Sequence, residues 1–352
     1  MNYLVVQEWE NTRGNHAGMK HMCDMLKALW PNEYTVLVKS VPKTFPRGKN
    51  KFVNKINYYS RIIYTRYIYP FEYRRLCSPI IKHLQDTDKV FLLEYLTTDF
   101  SQKELAQFIK KKNPQITIYA LSHLTPLYYM GYPDPVTMIR EWSLHVDKML
   151  TLGSSLSSYF IQCGIPGDKI STGFHYVDTN YYTPQRKVLV GERVKVISMG
   201  ALQRDFDTLV KIIKQTPHIE YIICKGYKNV DSLFRGLQNV TLKGYVPEDE
   251  LRELMNEADL SLNILEDTVG SNVITTSMAM GLGIIVSDVG SIRDYCDVDN
   301  AVFCSNNVES FVSAINELSF DKYRIEQMKK ESLRKVQKFQ IKNVHEWFSN
   351  IQ

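Results

Sequence analysis

The sequence of 352 residues lacks several things, and each absence removes a class of protein. No apolar run approaches the roughly 20 residues that a bilayer-spanning helix needs, and the longest uncharged aliphatic runs are strand-sized, so no transmembrane helix is expected. Met1 leads straight into the apolar run Tyr3–Val6 without a basic leader, and no signal peptide is expected either. Cysteine is sparse: Cys23, Cys77, Cys163, Cys224, Cys296 and Cys304 are scattered with no C-x-x-C spacing. That pattern argues against a thiolate metal site or a disulfide frame. It reads as small buried hydrophobes in a reducing compartment, with the cytoplasm as the expected location. Internal repeats, low-complexity tracts and long polar segments are also missing, which leaves no stretch to read as disordered.

What remains is a globular composition, 44% hydrophobic and 23% charged, in a chain too long for one comfortable core and well suited to two domains. The net charge of +5 is unevenly spread: residues 1–180 carry 22 Lys/Arg against 15 Asp/Glu, or +7, and the remainder 21 against 23, or −2. The excess concentrates in residues 47–75, "RGKNKFVNKINYYSRIIYTRYIYPFEYRR", with eight basic residues, eight aromatics and one acid, Glu72. Two readings compete for it. One is a solvated basic helix whose tyrosines pack inward. The other is a surface that settles on anionic lipid headgroups with Tyr and Phe at the interface. Nucleic acid is the weaker partner, because no reader motif accompanies the basic residues.

Short apolar runs recur at Tyr3–Val6, Thr35–Val38, Val90–Leu93, Ile116–Leu121 and Met149–Leu152, then at Val194–Met199, Glu220–Cys224, Val240–Leu242, Leu260–Leu265, Gly283–Ser287 and Ala301–Phe303. Runs of β-branched and aliphatic residues without alternation suit strands covered on both faces. Between them lie helical patterns such as "DTLVKIIKQT", with Leu209, Ile212 and Ile213 on one face, and "PEDELRELMNEAD", opened by Pro247 and acids. Alternating strands and helices predict parallel sheets, and these eleven strands predict two doubly wound domains. The join is expected within residues 180–195, giving domains over 1–183 and 184–335, with 336–352 a C-terminal helix expected to pack back on the first.

Residues 270–291, "GSNVITTSMAMGLGIIVSDVGS", hold a single charged residue, Asp288. A Gly-Ser-Asn start at a helix mouth lets an anion approach unpaired N–H groups, with Ser271 or Asn272 as the cap. The strand behind it ends in a tight Asp288-Val-Gly290-Ser291 turn, at the edge where ligands of open α/β sheets bind. By itself this implies only a phosphate-bearing ligand; a well-packed αβ unit is the other reading.

Other stretches arrive in order with it: "VISMGALQRDFDTLVKII" (196–213), "YIICKG" (221–226), "NVTLKGYVPEDELRELMNEADLSLNIL" (239–265) and "SMAMGLGIIVSDVGS" (277–291). Together they resemble the nucleotide-binding half of retaining glycosyltransferases of the GT-B fold, family four in particular. "GFHYVDTNYYTP" (173–184) looks like that family's interdomain segment, and "LSHLTPL" and "MLTLGSSLSSYFIQCGIP" like two of its first-domain segments. The ordered resemblance covers roughly residues 115–295. It implies an α/β GT-B architecture, two doubly wound parallel-sheet (Rossmann-like) domains facing a central cleft. The implied activity is transfer of a sugar, with retention, from a nucleotide-diphosphate donor to a glycan or lipid-linked acceptor, in the setting of bacterial surface polysaccharide synthesis and on the cytoplasmic membrane face. No metal is implied on the donor. A catalytically inactive module of the same fold and a sugar-nucleotide epimerase are the alternatives.

The resemblance assigns roles by position. Arg204 and Lys225 become candidates to neutralise the diphosphate, with Gly200, Gly270, Ser271, Asn272 and Val273 around it, although Arg204 could equally pair with Asp205 or Asp207 at its helix start. His123 would reach the donor sugar or reacting centre, or else cap its strand. Gly14, Asn15, His16 and Gly18 resemble a glycine loop near acceptor and phosphates. The sequence also departs from the family. Thr268 and Thr276 stand where two glutamates are usual, Ala201 stands where an arginine is usual, and Glu266, two residues early, could substitute for the first glutamate. Asp178 is expected to fix the interdomain turn, and the Asp-Val-Asp at 297–299 carries no metal assignment.

Overall fold

The computed structural model describes residues 1–9, 14–41, 51–97, 101–185, 190–200 and 204–351. The chain divides into one unit of Met1–Gly173 with Ile351–Gln352 and a second of Phe174–Asn350. Each is an α/β layer structure around one parallel sheet of six strands.

In the first unit the strands are β1 (Asn2–Trp9), β2 (Tyr34–Val41), β3 (Lys89–Leu92), β4 (Thr117–Ser122), β5 (Lys148–Thr151) and β6 (Ile170–Thr172), in the order β2-β1-β3-β4-β5-β6. Leu4, Val5 and Val6 of β1 and Phe91 and Leu92 of β3 are fully buried, as expected for strands covered on both faces. The register pairs Val5 with both Leu37 and Leu92. Helix α1 (Met19–Leu29) follows β1 and buries Met22, Cys23 and Leu26 on one stripe. The basic stretch forms α2 (Lys51–Ile63), a π-helical turn (Tyr64–Ile68) and α3 (Tyr69–Ile81). Its residues 47–50 lie outside the described residues.

In the second unit the strands are β7 (Lys195–Met199), β8 (Glu220–Cys224), β9 (Val240–Lys243), β10 (Leu260–Asn263), β11 (Gly283–Ser287) and β12 (Ala301–Cys304), in the order β12-β11-β10-β7-β8-β9. Read from the other edge, the sheet runs third, second, first, fourth, fifth, sixth. The direction of winding therefore reverses between β7 and β10, and a crevice opens at their carboxyl ends. Its core joins Val196, Tyr221, Leu260, Leu262 and Ile285 of the sheet to Leu209, Ile212 and Ile213 of the helix Phe206–Gln215 and to Phe311 and Ile315.

All eleven expected strands form, with ends shifted by up to three residues. The twelfth, β6, has the sequence Ile-Ser-Thr, an edge strand too short and too polar to show a run. Residues 174–183, expected to close the first domain, are tied into the second unit: His175 N donates to Tyr295 Oη at 2.8 Å, and Val177 N to the carbonyl of Phe339 at 3.1 Å. Asp178 does hold a turn, its Oδ1 accepting from Asn180 N. Among the described residues no helix is long and apolar enough to cross a membrane, and the six cysteines are all buried and unbridged.

Candidate functional site

Strand β7 ends at Gly200, which turns with φ +91° at the reversal point of the second sheet. A side chain there would sit 3.6 Å from Arg204 Nε and 3.7 Å from Val273 Cγ2. Gly200 and Arg204, four residues apart, thus meet the distant Val273 at one carboxyl edge. Arg204 is pinned by a backbone bridge to Leu265, just beyond β10. Leu265 is itself held by Ser287 Oγ, which accepts from its N–H at 2.8 Å.

The Arg204 guanidinium has no ion pair with Asp205 or Asp207; Asp205 instead caps the following helix, accepting from Thr208 N at 2.9 Å. Although the residue as a whole is half-buried, its Nη1 is enclosed and has no hydrogen-bond partner among the described residues. Burial pushes its pKa down to about 10. An enclosed cation with unused donor capacity calls for an anion, since leaving such a group unpaired is costly.

Helix Asn272–Ala279 begins beside it, capped by Ser271, whose Oγ accepts from Val273 N at 3.1 Å. The amides of Ile274 and Thr275 turn to the carbonyl of Ser271. Among the described residues this leaves Asn272 N as the first-turn amide at the mouth, so the Val273 amide serves the cap and its side chain faces Gly200. Ser271, Asn272 and Val273 are half-buried. Gly270 has a different reason from the one its position suggested. It is buried, and a Cβ there would lie 2.1 Å from Tyr295 Cζ. The glycine makes room for a ring. Gly290 similarly lets the Asp-Val-Gly turn lie on Thr268, whose carbonyl oxygen would be 2.1 Å from a Cβ.

The two threonines are turned to the backbone. Thr268 is 4% exposed, and its Oγ1 accepts from Gly270 N at 3.1 Å. Thr276 is 8% exposed and donates to the carbonyl of Val273 at 3.2 Å. Glu266 is exposed in the loop after β10 and forms no ion pair among the described residues. Ala201 lies outside the described residues.

Lys225 follows β8 at the same edge, but its Nζ is engaged by Asp231 at 2.9 Å and by the carbonyl of Lys228 at 2.8 Å. Asp297 and Asp299 both pair with Lys335. A feature missed in the sequence stands beside Lys225: β8 and β9 each run into Lys-Gly-Tyr, and Tyr227 and Tyr245 stack with centroids 4.8 Å apart at 13°. Both are exposed, offering a flat aromatic face of the kind that planar rings pack on. The repeated tripeptide at 225–227 and 243–245 was the available signal.

The first unit carries its candidates at the carboxyl edge of its own sheet, which reverses between β1 and β3. Gly14 (φ +80°) and Asn15 form a turn into α1, Asn15 Oδ1 accepting from Ala17 N at 2.9 Å and its carbonyl from Gly18 N at 2.9 Å. Gly18 occupies the cap position of α1 without a side chain to donate or accept. His16 packs on His21, ring centroids 4.6 Å apart. Residues 10–13 lie outside the described residues. His123 follows β4, its Nε2 3.5 Å from Glu94 Oε2 and its Nδ1 enclosed with no partner among the described residues. Glu94, missed in the sequence, is only 8% exposed at the end of β3. Its signal was an acid set directly behind the buried run Phe91-Leu-Leu93. Leu96, two residues on, has φ 55°, the one positive value at a non-glycine residue among those described.

Residues 193–321 match the family model for glycosyl transferases group 1. No curated protein matches the chain in sequence. Among solved structures it is similar to Anabaena HepE in complex with UDP and glucose, at 12% identity over 99% of this chain and 98% of that one, with a TM-score of 0.72. It is also similar to the lipopolysaccharide outer core galactosyltransferase WaaB, at 14% identity over the whole of both chains (100% and 100%) and a TM-score of 0.67. The sucrose-phosphate synthase of Thermosynechococcus elongatus matches at 11% identity over 100% of this chain and 98% of that one, TM-score 0.70. Two parallel six-stranded sheets in two units, with a glycosyl transferases group 1 domain forming most of the second, make this chain a glycosyltransferase of the GT-B type.

Proposed function

We propose that the protein transfers a sugar, with retention of its anomeric configuration, from a nucleoside-diphosphate donor to a glycan or lipid-linked acceptor, as a family-four enzyme of bacterial surface polysaccharide synthesis. The observation that carries the reading is the meeting of Gly200, Arg204 and Val273 at the reversal point of the second sheet, with Arg204 Nη1 enclosed and unpaired. Opening a sugar–phosphate bond moves negative charge onto the departing diphosphate. A cation already desolvated and pinned through Leu265 meets that charge without reorganisation, and the amide of Asn272 adds the partial positive charge of a helix start. In this reading no metal is needed at the donor, because Arg204 supplies the countercharge.

Glu266 is the exposed acid nearest in sequence to the helix mouth and is assigned to hydroxyls of the donor sugar. His123, braced by Glu94, is assigned to the reacting side, and the turn Gly14–Gly18 to the acceptor. Fold similarity to HepE, solved with UDP and glucose, supports a nucleoside-diphosphate donor, and similarity to WaaB supports a glycan acceptor.

Calorimetric titration with UDP, GDP and ADP tests the donor site. At least one should bind, and a thermal-shift screen of the corresponding sugar nucleotides should then show stabilisation of about 2.7 kcal/mol at a hundredfold excess over Kd. Binding of none removes the reading. The anomeric configuration of the product, followed by proton NMR, decides between retention and inversion.

A further inference from the structure

Helix α2 is amphipathic in the reverse of the usual sense. Phe52, Ile56, Tyr59 and Ile63 recur at i, i+4, i+7 and i+11 and so line one side of it. That side faces solvent: the four are 70, 50, 54 and 55% exposed. The half-buried positions of the helix are instead Asn54 and Asn57, and none of its described side chains is fully buried. The apolar surface continues past the helix with Tyr67, Ile68 and Phe71, at 66, 39 and 65% exposure. A run of exposed aromatic and aliphatic side chains of this extent marks a surface that is covered in use.

The charge of the same stretch identifies the cover. Lys55, Arg66 and Arg75 are exposed. Glu72, the only acid between residues 47 and 75, is already neutralised by Lys39 at 2.6 Å. Of the tyrosines expected to pack inward, Tyr69 and Tyr73 do so, the latter accepting from Gln7 Nε2 at 2.8 Å. Tyr58, Tyr59 and Tyr67 remain outside. Exposed apolar and ring side chains, flanked by cations that pair with no acid among the described residues, suit the boundary between acyl chains and anionic headgroups. A helix of 13 residues lies along such a boundary and does not cross it.

We propose that α2 and the turn after it form a docking face for an anionic lipid bilayer surface, with Phe52, Ile56, Tyr59 and Ile63 at the acyl boundary and Lys55 and Arg66 at the headgroups. The test is cosedimentation of the full chain with vesicles of phosphatidylcholine, with and without phosphatidylglycerol, at low and high salt. It uses no nucleotide, so it succeeds or fails apart from the donor site. The parent chain should bind vesicles containing phosphatidylglycerol and bind pure phosphatidylcholine at least tenfold more weakly. K55E/R66E should weaken binding by about 25-fold or more, roughly fivefold for each basic residue near the surface. I56D/I63D should weaken it at least tenfold at either salt. Both variants replace exposed side chains and should melt with the parent by circular dichroism. Equal binding to the two vesicle types, or unchanged binding by I56D/I63D, overturns the proposal. So does a parent dimer in sedimentation equilibrium that I56D/I63D dissociates, since the cover would then be a second copy of the chain.

Discussion

The ring of Tyr295 occupies the space that a side chain at Gly270 would need. A Cβ at Gly270 would fall 2.1 Å from Tyr295 Cζ and 2.3 Å from its Oη, far inside any van der Waals contact. The ring cannot easily give way. It is 3% exposed, stacks on Phe339 at 5.0 Å and accepts the His175 amide proton through Oη. The glycine that opens the candidate donor helix is thus set by packing behind the helix.

Gly270→Ala should therefore destabilise the protein severely. The backbone φ of +94° alone costs a non-glycine residue about 1–3 kcal/mol, and the clash adds to it. Denaturant unfolding should show a loss of at least about 3 kcal/mol, or no folded protein. A change under about 0.5 kcal/mol would mean that Tyr295 does not hold the position described.

Arg204→Met should reduce affinity for nucleoside diphosphates by roughly 10- to 150-fold, the equivalent of one charge-assisted hydrogen bond of about 1.5–3 kcal/mol. Unliganded stability should not fall, because Nη1 of the replaced group is enclosed without a partner among the described residues. The pH dependence follows from the lowered pKa. The folded-state value of about 10 lies below the ordinary guanidinium range, so the cost of burying the charge is fully present below about pH 10. It is relieved as pH rises above about 10, and the parent should gain stability there relative to Arg204→Met. Calorimetry with the best-binding diphosphate and unfolding curves at neutral and alkaline pH check the three statements.

Ser271→Asp separates capping from anion binding. Aspartate caps a helix as well as serine does, so the melting temperature should stay close to the parent's. The added carboxylate would stand at the helix mouth, and diphosphate affinity should drop at least tenfold. Ser271→Ala should do the opposite, costing about 1 kcal/mol of stability with little change in affinity beyond that. Equal diphosphate binding by the parent and Ser271→Asp would remove the anion from this mouth.

Glu266→Gln should leave stability unchanged, since the side chain is exposed. If the carboxylate holds sugar hydroxyls, the affinity advantage of sugar nucleotide over free diphosphate should shrink about tenfold while diphosphate affinity holds. Thr268→Glu, which restores the usual acid at that position, should instead destabilise by about 1–3 kcal/mol, because Thr268 is buried and its hydroxyl accepts the Gly270 amide.

Much of the fold was legible because strands covered on both faces leave uninterrupted apolar runs: β7, β8 and β11 read directly from Val-Ile-Ser-Met, Tyr-Ile-Ile-Cys and Gly-Ile-Ile-Val. The exception, β6, is paired only along one edge and has no apolar run to show. At the site, Gly200, Arg204 and Val273 could be nominated from motif order. Glu94 and the Tyr227–Tyr245 pair went unread, since the partner of each comes from a different strand–loop unit. The outward stripe of α2 was visible as a basic, aromatic stretch, but its direction was not, because the periodicity of a helix does not say which side the sheet will cover.

The sequence by itself determined the alternation of strands and helices, the two-sheet architecture and the small-residue start of the helix at Asn272, all of which follow from local periodicity and backbone preference. Tertiary structure alone decided that β7 lies beside β10, and with it that Gly200, Arg204 and Val273 converge. It also decided that Thr268 and Thr276 turn inward, that Tyr295 dictates Gly270, and that Phe52, Ile56, Tyr59 and Ile63 face out. The reason is physical: local preference acts over a few residues, whereas strand order and ring packing are settled when the whole core closes around them.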